Sequence, residues 1–388
     1  MEIHRSPKGG DKVTQYIELE NPKGTIYIRK DKLAEIAKVD TIVFDCDGVL
    51  LDVRNAYNVA IAEATRIIIE AFTGTVIPVE IFDSMLNFAF KRTGGFNNDW
   101  SHAYAVIMRI LAEVPEPKLV ELNKLAEESL RYDSPKDRFD YMSGKVKTII
   151  PIDGLYEKLM EFASQLDASG IEKVDKLLLP KVGSSIKKAL KFRGEVGESI
   201  VSTLFEELFL GKRLFTETFG FEPCFVSRDM GIVEADEVVI LGETLDELES
   251  ILGGSRFGVA SGSLENTARH ALREIKDRFP QDSQYWHDVV DRDAKRLGEK
   301  NLHKPNPYPL LKASEKYNSE AVLYVGDTMA DYLTAENAGE GYVFAGVYGC
   351  IHCSEDAKKS FLDLGSDVVA PTVNEIPVVL RYARGETQ

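Results

Sequence analysis

Apolar and polar residues alternate along residues 13–29, VTQYIELENPKGTIYIR, on both sides of a central NPKG. Period-two alternation about a turn predicts two short strands forming a hairpin. At 41–45 a short apolar run with β-branched residues, TIVFD, predicts a buried strand stopped by polar groups and Gly48. From Asn55 to about Gly231 the period changes. AYNVAIAEATRIIIEAF, PVEIFDSMLNFAFK, SHAYAVIMRILAEV, GLYEKLMEFASQL and GESIVSTLFEELFLGKRLF space their apolar residues by three and four, as helices do, and strand-like runs nearly vanish. After residue 232 strands and helices alternate. EVVIL precedes TLDELESIL, RFGVAS precedes LENTARHALREIK, AVLYVGD precedes MADYLTAENAG, and GYVFAGVYG precedes a last helical stretch.

Such alternation predicts an α/β fold with a parallel sheet and crossover helices. The strand at 41–45 needs partners, and only the later strands supply them. The α/β unit is therefore expected to be interrupted, with a core of 40–54 and 232–388, a helical insertion over 55–231, and an N-terminal extension with a β-hairpin over 1–39, read as an appendage without chemistry. A chain of 388 residues suits this division, since ordinary domains hold roughly 100–200.

Charge narrows the partners. A net charge of −16 argues against general nucleic-acid binding and against an anionic membrane surface. No run approaches the ~20 apolar residues of a membrane span. The polar start MEIHRSPKGGDK lacks the apolar centre of a secretion signal, and four cysteines make no disulfide framework, so a cytoplasmic location is expected.

The chemistry gathers at predicted strand ends, where open parallel sheets bind ligands. TIVFDCDGV ends in Asp45 and Asp47, whose mutual repulsion is a cost unless a cation sits between them. FGVASGS supplies Ser261 and Gly262 ahead of a helix N-terminus, a place suited to anions. LYVGDTMAD supplies Asp327 and Asp331, and HKPNPYPLL places Lys304 in a segment stiffened by prolines. Four carboxylates, a lysine, a hydroxyl and a helix N-terminus are the set used for phosphoryl transfer through an aspartyl-phosphate, and oxygen ligands of this kind suit Mg²⁺.

At these residues the chain resembles the haloacid dehalogenase-like phosphatase superfamily. DCDGV matches its first motif, Ser261 the second, Lys304 in KPNP the third and GDTMAD the fourth, in the family's order. The resemblance covers roughly residues 40–55 and 232–375. It implies a Rossmann-like, three-layer α/β/α core with a helical cap inserted after the first motif (the subfamily I, C1-type arrangement of phosphoglycolate phosphatase-like members). It implies Asp45 as nucleophile, Asp47 as general acid–base, and Ser261 and the Gly262 amide as phosphate ligands. Lys304 would neutralise the nucleophile and phosphate, and Asp45, the Asp47 carbonyl and Asp327 would hold Mg²⁺ with Asp331 in support. Dehalogenases proper lack the acid–base aspartate, so carbon–halogen hydrolysis is disfavoured. The expected activity is Mg²⁺-dependent hydrolysis of a small phosphorylated metabolite. The rivals are a phosphomutase of the β-phosphoglucomutase type and an idle member that only binds.

Within the insertion, KRTGGFNNDW (91–100) joins turn-forming glycines to polar and aromatic side chains. One reading makes it a substrate-reading loop, with Arg92, Asn97 and Asn98 as contacts; the other makes it a turn between helices with a cap at Asp99 or Ser101. An insertion this large suits either full enclosure of a ligand or a homo-oligomer interface. The CIHC pair Cys350 and Cys353 has the spacing of a half zinc site or redox pair but no second pair, so it reads as structural or incidental, and the six histidines show no ligand spacing.

Overall fold

The computed structural model describes residues 15–386 apart from Asn97 and His352. Its main sheet has eight strands: β1 (Tyr16–Asn21), β2 (Gly24–Arg29), β3 (Val39–Phe44), β6 (Phe257–Ala260), β7 (Gln284–Tyr285), β8 (Ala321–Gly326), β9 (Tyr342–Val347) and β10 (Val368–Ala370). A separate pair is formed by β4 (Leu51–Asp52) and β5 (Glu237–Val238). The main order is β1-β2-β10-β9-β8-β3-β6-β7, and the six strands from β10 to β7 run parallel.

Strand alternation divides the core into two layers. Val43, Tyr324 and Phe344 face one side and pack with Leu310, Ala313, Ala335 and Phe361. These come from helices Tyr308–Glu315, Met329–Ala338 and Ser354–Leu364. Ile42, Phe44, Leu323 and Val325 belong to the opposite cluster, with Ile36, Leu245, Leu248, Val379 and Leu380. Helices cover both faces, which is why these strands read as unbroken apolar runs. The fold is therefore α/β with a Rossmann-like parallel sheet, as expected.

Two expectations change. The N-terminal hairpin is no appendage: β2 pairs antiparallel with β10, so β1 and β2 extend the main sheet and cover its edge. EVVIL does not join the main sheet. Only Glu237–Val238 is strand, paired antiparallel with Leu51–Asp52, because the amides of Val239 and Ile240 turn to the Leu50 carbonyl. This pair ties together the two points where the chain leaves and re-enters the α/β part. Between them the described residues hold helices and no strand, from Arg54–Thr73 to Ile200–Phe219. The last of these is broken at Gly211, whose φ of 69° lets the backbone touch Gly231. No helix of the described residues is long and apolar enough to cross a membrane.

Candidate active site

β3 lies between β6 and β8, and Phe44 is in register with Val259 and Val325. The chain leaves β3 toward β6 on one side while β8 pairs on the other, so a crevice opens at the carboxyl end of β3. Asp45 stands there, its amide donating to the Val325 carbonyl at 2.8 Å. The turn after it is tight: the amides of Leu50 and Leu51 both return to the Cys46 carbonyl. Cys46 is fully buried, pointing to the core as alternation requires.

Four separated segments meet at this point. Asp45, Asp327 and Asp331 each bring a carboxylate oxygen within 4.8 Å of the others. Lys304 Nζ lies 3.0 Å from Asp45 Oδ1 and 2.6 Å from Asp331 Oδ1. Asp331 has no solvent exposure, and both its oxygens are taken. Oδ1 accepts from Lys304 and the Tyr324 hydroxyl, and Oδ2 accepts from the Thr328 amide and hydroxyl. The Thr328 contacts form a capping box on helix Met329–Ala338. Asp331 therefore anchors Lys304, Asp45 Oδ1 meets only the Lys304 ammonium, and Asp327 Oδ1 is buried without a hydrogen-bond partner. Gly48 permits the approach of Asp327: a Cβ there would sit 2.1 Å from Asp327 Oδ2, and its φ is +79°.

Electrostatics follows from this crowding. Burial pushes the Asp45 carboxyl up to about 7, with Lys304 opposing and Asp331 and Asp47 adding to the rise. Burial and the neighbouring Asp331 and Asp45 hold Asp327 well above the usual carboxylate range. Burial also acts on Asp331, but the Lys304 charge and the hydrogen bonds from Lys304, Thr328 and Tyr324 outweigh it and hold its pKa low. Three carboxylates thus crowd around the Lys304 ammonium, and Asp327 keeps an orphaned oxygen. The donor set and its excess of negative charge fit a hard divalent cation bound through Asp45 and Asp327.

Asp47 faces the insertion. Its Oδ2 accepts from Ser263 Oγ at 2.8 Å, and Tyr57 of helix Arg54–Thr73 also donates to it. Burial raises its pKa, more than these two hydrogen bonds lower it. Ser261 is buried, with Oγ 3.1 Å from Ser263 Oγ, and its amide donates to the Tyr285 carbonyl. Gly262 is exposed beside it, with open space where a side chain would project.

The stretch 91–100 departs from the substrate-reading expectation. Asn98 caps helix Asp99–Leu111, its side chain accepting from the Ser101 amide at 3.0 Å. Arg92 is exposed at the end of helix Ser84–Lys91, and Asn97 lies outside the described residues. Gly95 packs against backbone, since a Cβ would stand 2.7 Å from the Gly170 amide, and Phe96 is buried against Phe90. The flanking residues turn to the site instead. Lys91 lies over the Tyr57 ring at 5.9 Å and 3.6 Å from Asp99, and the charges of Asp99, Asp327 and Asp47 raise its pKa. Beside Asp99, Trp100 donates to the buried Glu206 at 2.8 Å, and burial pushes Glu206 up to about 7. Asp236 is buried with Oδ1 unpartnered, and burial with Asp47 and Asp52 nearby lifts it to about 8.

Sequence reasoning missed Ser263, Tyr324, Tyr57, Lys91, Glu206 and Asp236, and offered Asp99 only as a helix cap. Ser263 had a signal, a second hydroxyl in SGS, and Thr328 had the T-x-x-D capping pattern. The others sit in ordinary strand, helix or loop text and acquire meaning only through contact. The two cysteines of CIHC are separated by their surroundings: Cys353 Sγ lies 3.1 Å from the sulfur of Met85, and burial raises Cys350 to about 12.

The family model for haloacid dehalogenase-like hydrolases matches residues 180–339. No curated protein matches the chain significantly. Among solved structures, Northeast Structural Genomics Consortium target ZR25 aligns over 90% of this chain and 100% of its own, with a TM-score of 0.63 and 17% identity. That likeness establishes a shared fold. A candidate haloacid dehalogenase-like hydrolase from Bacteroides fragilis aligns over 87% of this chain and 100% of its own at TM-score 0.36 and 17% identity. A candidate phosphoglycolate phosphatase from Lactobacillus plantarum aligns over 88% and 99% at TM-score 0.39 and 12% identity. The stretch that the family model matches includes Ser261, Lys304, Asp327 and Asp331, and over that part the chain is similar to the haloacid dehalogenase-like hydrolases.

Proposed function

We propose that this protein is a Mg²⁺-dependent phosphatase of small phosphate monoesters, working through an aspartyl-phosphate on Asp45. The observation that carries the reading is the convergence of the buried Asp45 and Asp327 carboxylates, the latter with an unpartnered oxygen, beside a lysine held in place by Asp331. Asp45 and Asp327, with the Asp47 carbonyl, would hold the ion. Bound there, Mg²⁺ supplies charge compensation for the carboxylates and the phosphoryl oxygens.

In this reading Asp45 attacks phosphorus and forms an acyl phosphate as the ester P–O bond breaks. Asp47 gives its proton to the departing alkoxide, then takes one from the water that releases phosphate and restores Asp45. Its raised pKa suits the first task, and its hydrogen bonds from Ser263 and Tyr57 fix its orientation. Ser261 Oγ and the Gly262 amide would donate to phosphoryl oxygens, and Lys304 would balance charge in the transition state. Residues 55–231 act as a lid over a core of 40–54 and 232–388. Tyr57, Lys91, Asp99 and the Trp100–Glu206 pair surround the leaving group, which makes Lys91 a better specificity residue than Arg92 or Asn98.

Phosphate release from p-nitrophenyl phosphate with Mg²⁺ and no bisphosphate activator tests the reading. Asp45→Asn is expected to lower kcat by at least about 10³-fold with the fold intact. An inert wild type across a broad panel of phosphate esters would defeat the proposal, and a strict need for a sugar bisphosphate would turn it into a mutase.

A further inference from the structure

A second group of ligand-type side chains lies on the flank of the acid cluster. Helix His287–Leu297 carries His287 and Asp291 one turn apart, and the segment after it brings His303 to the same place. His303 Nε2 lies 2.8 Å from Asp291 Oδ1, and His287 Nε2 lies 3.6 Å from Asp291 Oδ2. The two imidazole rings stack, with centroids 4.2 Å apart and planes at 19°. One ligand atom from each residue falls within 4.8 Å of the other two. All three side chains are partly exposed, between 35% and 47%, so an ion can reach them without unfolding.

Two imidazole nitrogens and one carboxylate are not a Mg²⁺ set, because Mg²⁺ prefers oxygen ligands throughout. Imidazole with a single carboxylate suits Zn²⁺ and its transition-metal neighbours. An ion about 2.0–2.1 Å from each ligand atom needs those atoms roughly 3–3.5 Å apart, and the two carboxylate–imidazole separations bracket that range. We propose that His287, Asp291 and His303 form a second metal site, for Zn²⁺ or a similar transition-metal dication, with water completing its coordination.

The place of the site gives it a consequence. His303 directly precedes Lys304, whose ammonium contacts Asp45 and Asp331. The His287 amide donates to the Ser263 carbonyl at 3.0 Å, and Ser263 Oγ donates to Asp47. An ion on the two imidazoles would fasten the lysine-bearing segment to the one that orients Asp47. The metal site itself does not depend on the phosphatase reading.

The test uses the full-length chain, stripped with a chelator and then held in excess Mg²⁺ so that the carboxylate site is saturated. Co²⁺ is titrated while its visible absorption is followed, and Zn²⁺ is titrated by calorimetry. One equivalent of each ion is expected to bind. His287→Ala and Asp291→Asn should each weaken that binding at least tenfold, and Asp45→Asn should leave it unchanged. Far-UV circular dichroism and melting curves check that the variants are folded, and His303→Gln provides an independent third removal. The proposal is overturned if neither ion binds in excess Mg²⁺, if folded variants bind as the wild type does, or if Asp45→Asn abolishes uptake. A wild type that takes up the ion but hydrolyses no phosphate ester would count against the phosphatase reading alone.

Discussion

Lys304 and Asp331 form the best-satisfied charge pair of the site, and the consequences of breaking it are large. Removing one partner of a buried pair leaves the other uncompensated, at a cost of roughly 3–5 kcal/mol. Lys304→Met is therefore expected to lower stability by about that much in urea unfolding, as well as to abolish turnover. A stability loss below about 1 kcal/mol would mean that Asp331 keeps its environment without the lysine. Glu206 behaves oppositely. Its carboxyl is raised to about 7 from 4.5 by burial, so at pH 8 its ionised form weakens the fold. Glu206→Gln keeps an acceptor for Trp100 and should stabilise the protein at pH 8 by on the order of 2–3 kcal/mol, with little effect at pH 4. Equal effects at both pH values would rule out that titration as the cause.

At the scale of elements, the informative residues are those that let backbone segments meet. Gly48 sits on the turn after β3 where a methyl group would strike the Asp327 carboxylate. Gly48→Ala is expected to lower Mg²⁺-dependent activity by at least about tenfold, since displaced positioning groups of an active site have large effects. Full activity in that variant would show that the turn yields. Gly95 tests the insertion instead, because its Cβ would meet the backbone of Asp167 and Gly170. Asn98→Ala removes a helix cap, for about 1 kcal/mol of stability, and should leave the ratio of kcat/KM between two substrates unchanged. Lys91→Ala should change that ratio. Steady-state kinetics on two phosphate esters separates them, and a shift with Asn98→Ala alone would return the reading role to the capped loop.

Across the whole molecule, the raised carboxylates couple stability to pH and to metal. Asp45 and Glu206 lie near 7 and Asp236 near 8 in the folded chain, against 3.8 or 4.5 when free. Between those limits the folded state binds more protons than the unfolded one, so this contribution is present at low pH and lost as pH rises from about 4 to about 8. Metal-free protein should therefore lose thermal stability across that window in calorimetric melts. Mg²⁺ should restore the share due to Asp45, and a chelator should remove it again. A melting temperature indifferent to Mg²⁺ at pH 8 would contradict ion binding at Asp45 and Asp327.

Periodicity alone determined the α/β class, the long helical insertion and the strand ends at which acids collect, because burial on both sheet faces and on one helix face writes directly into residue order. It also exposed Asp45, Asp47, Asp327 and Asp331 as costly placements. What it could not supply was the meeting of segments far apart in the chain. Asp331 became an anchor for Lys304 and not an open ligand only because Tyr324, Thr328 and Lys304 converge on it. Asn98 became a cap, EVVIL a two-residue strand outside the main sheet, and His287, Asp291 and His303 a metal-type cluster for the same reason. Side-chain roles are set by through-space neighbours, and distances through space are fixed by packing rather than by sequence separation.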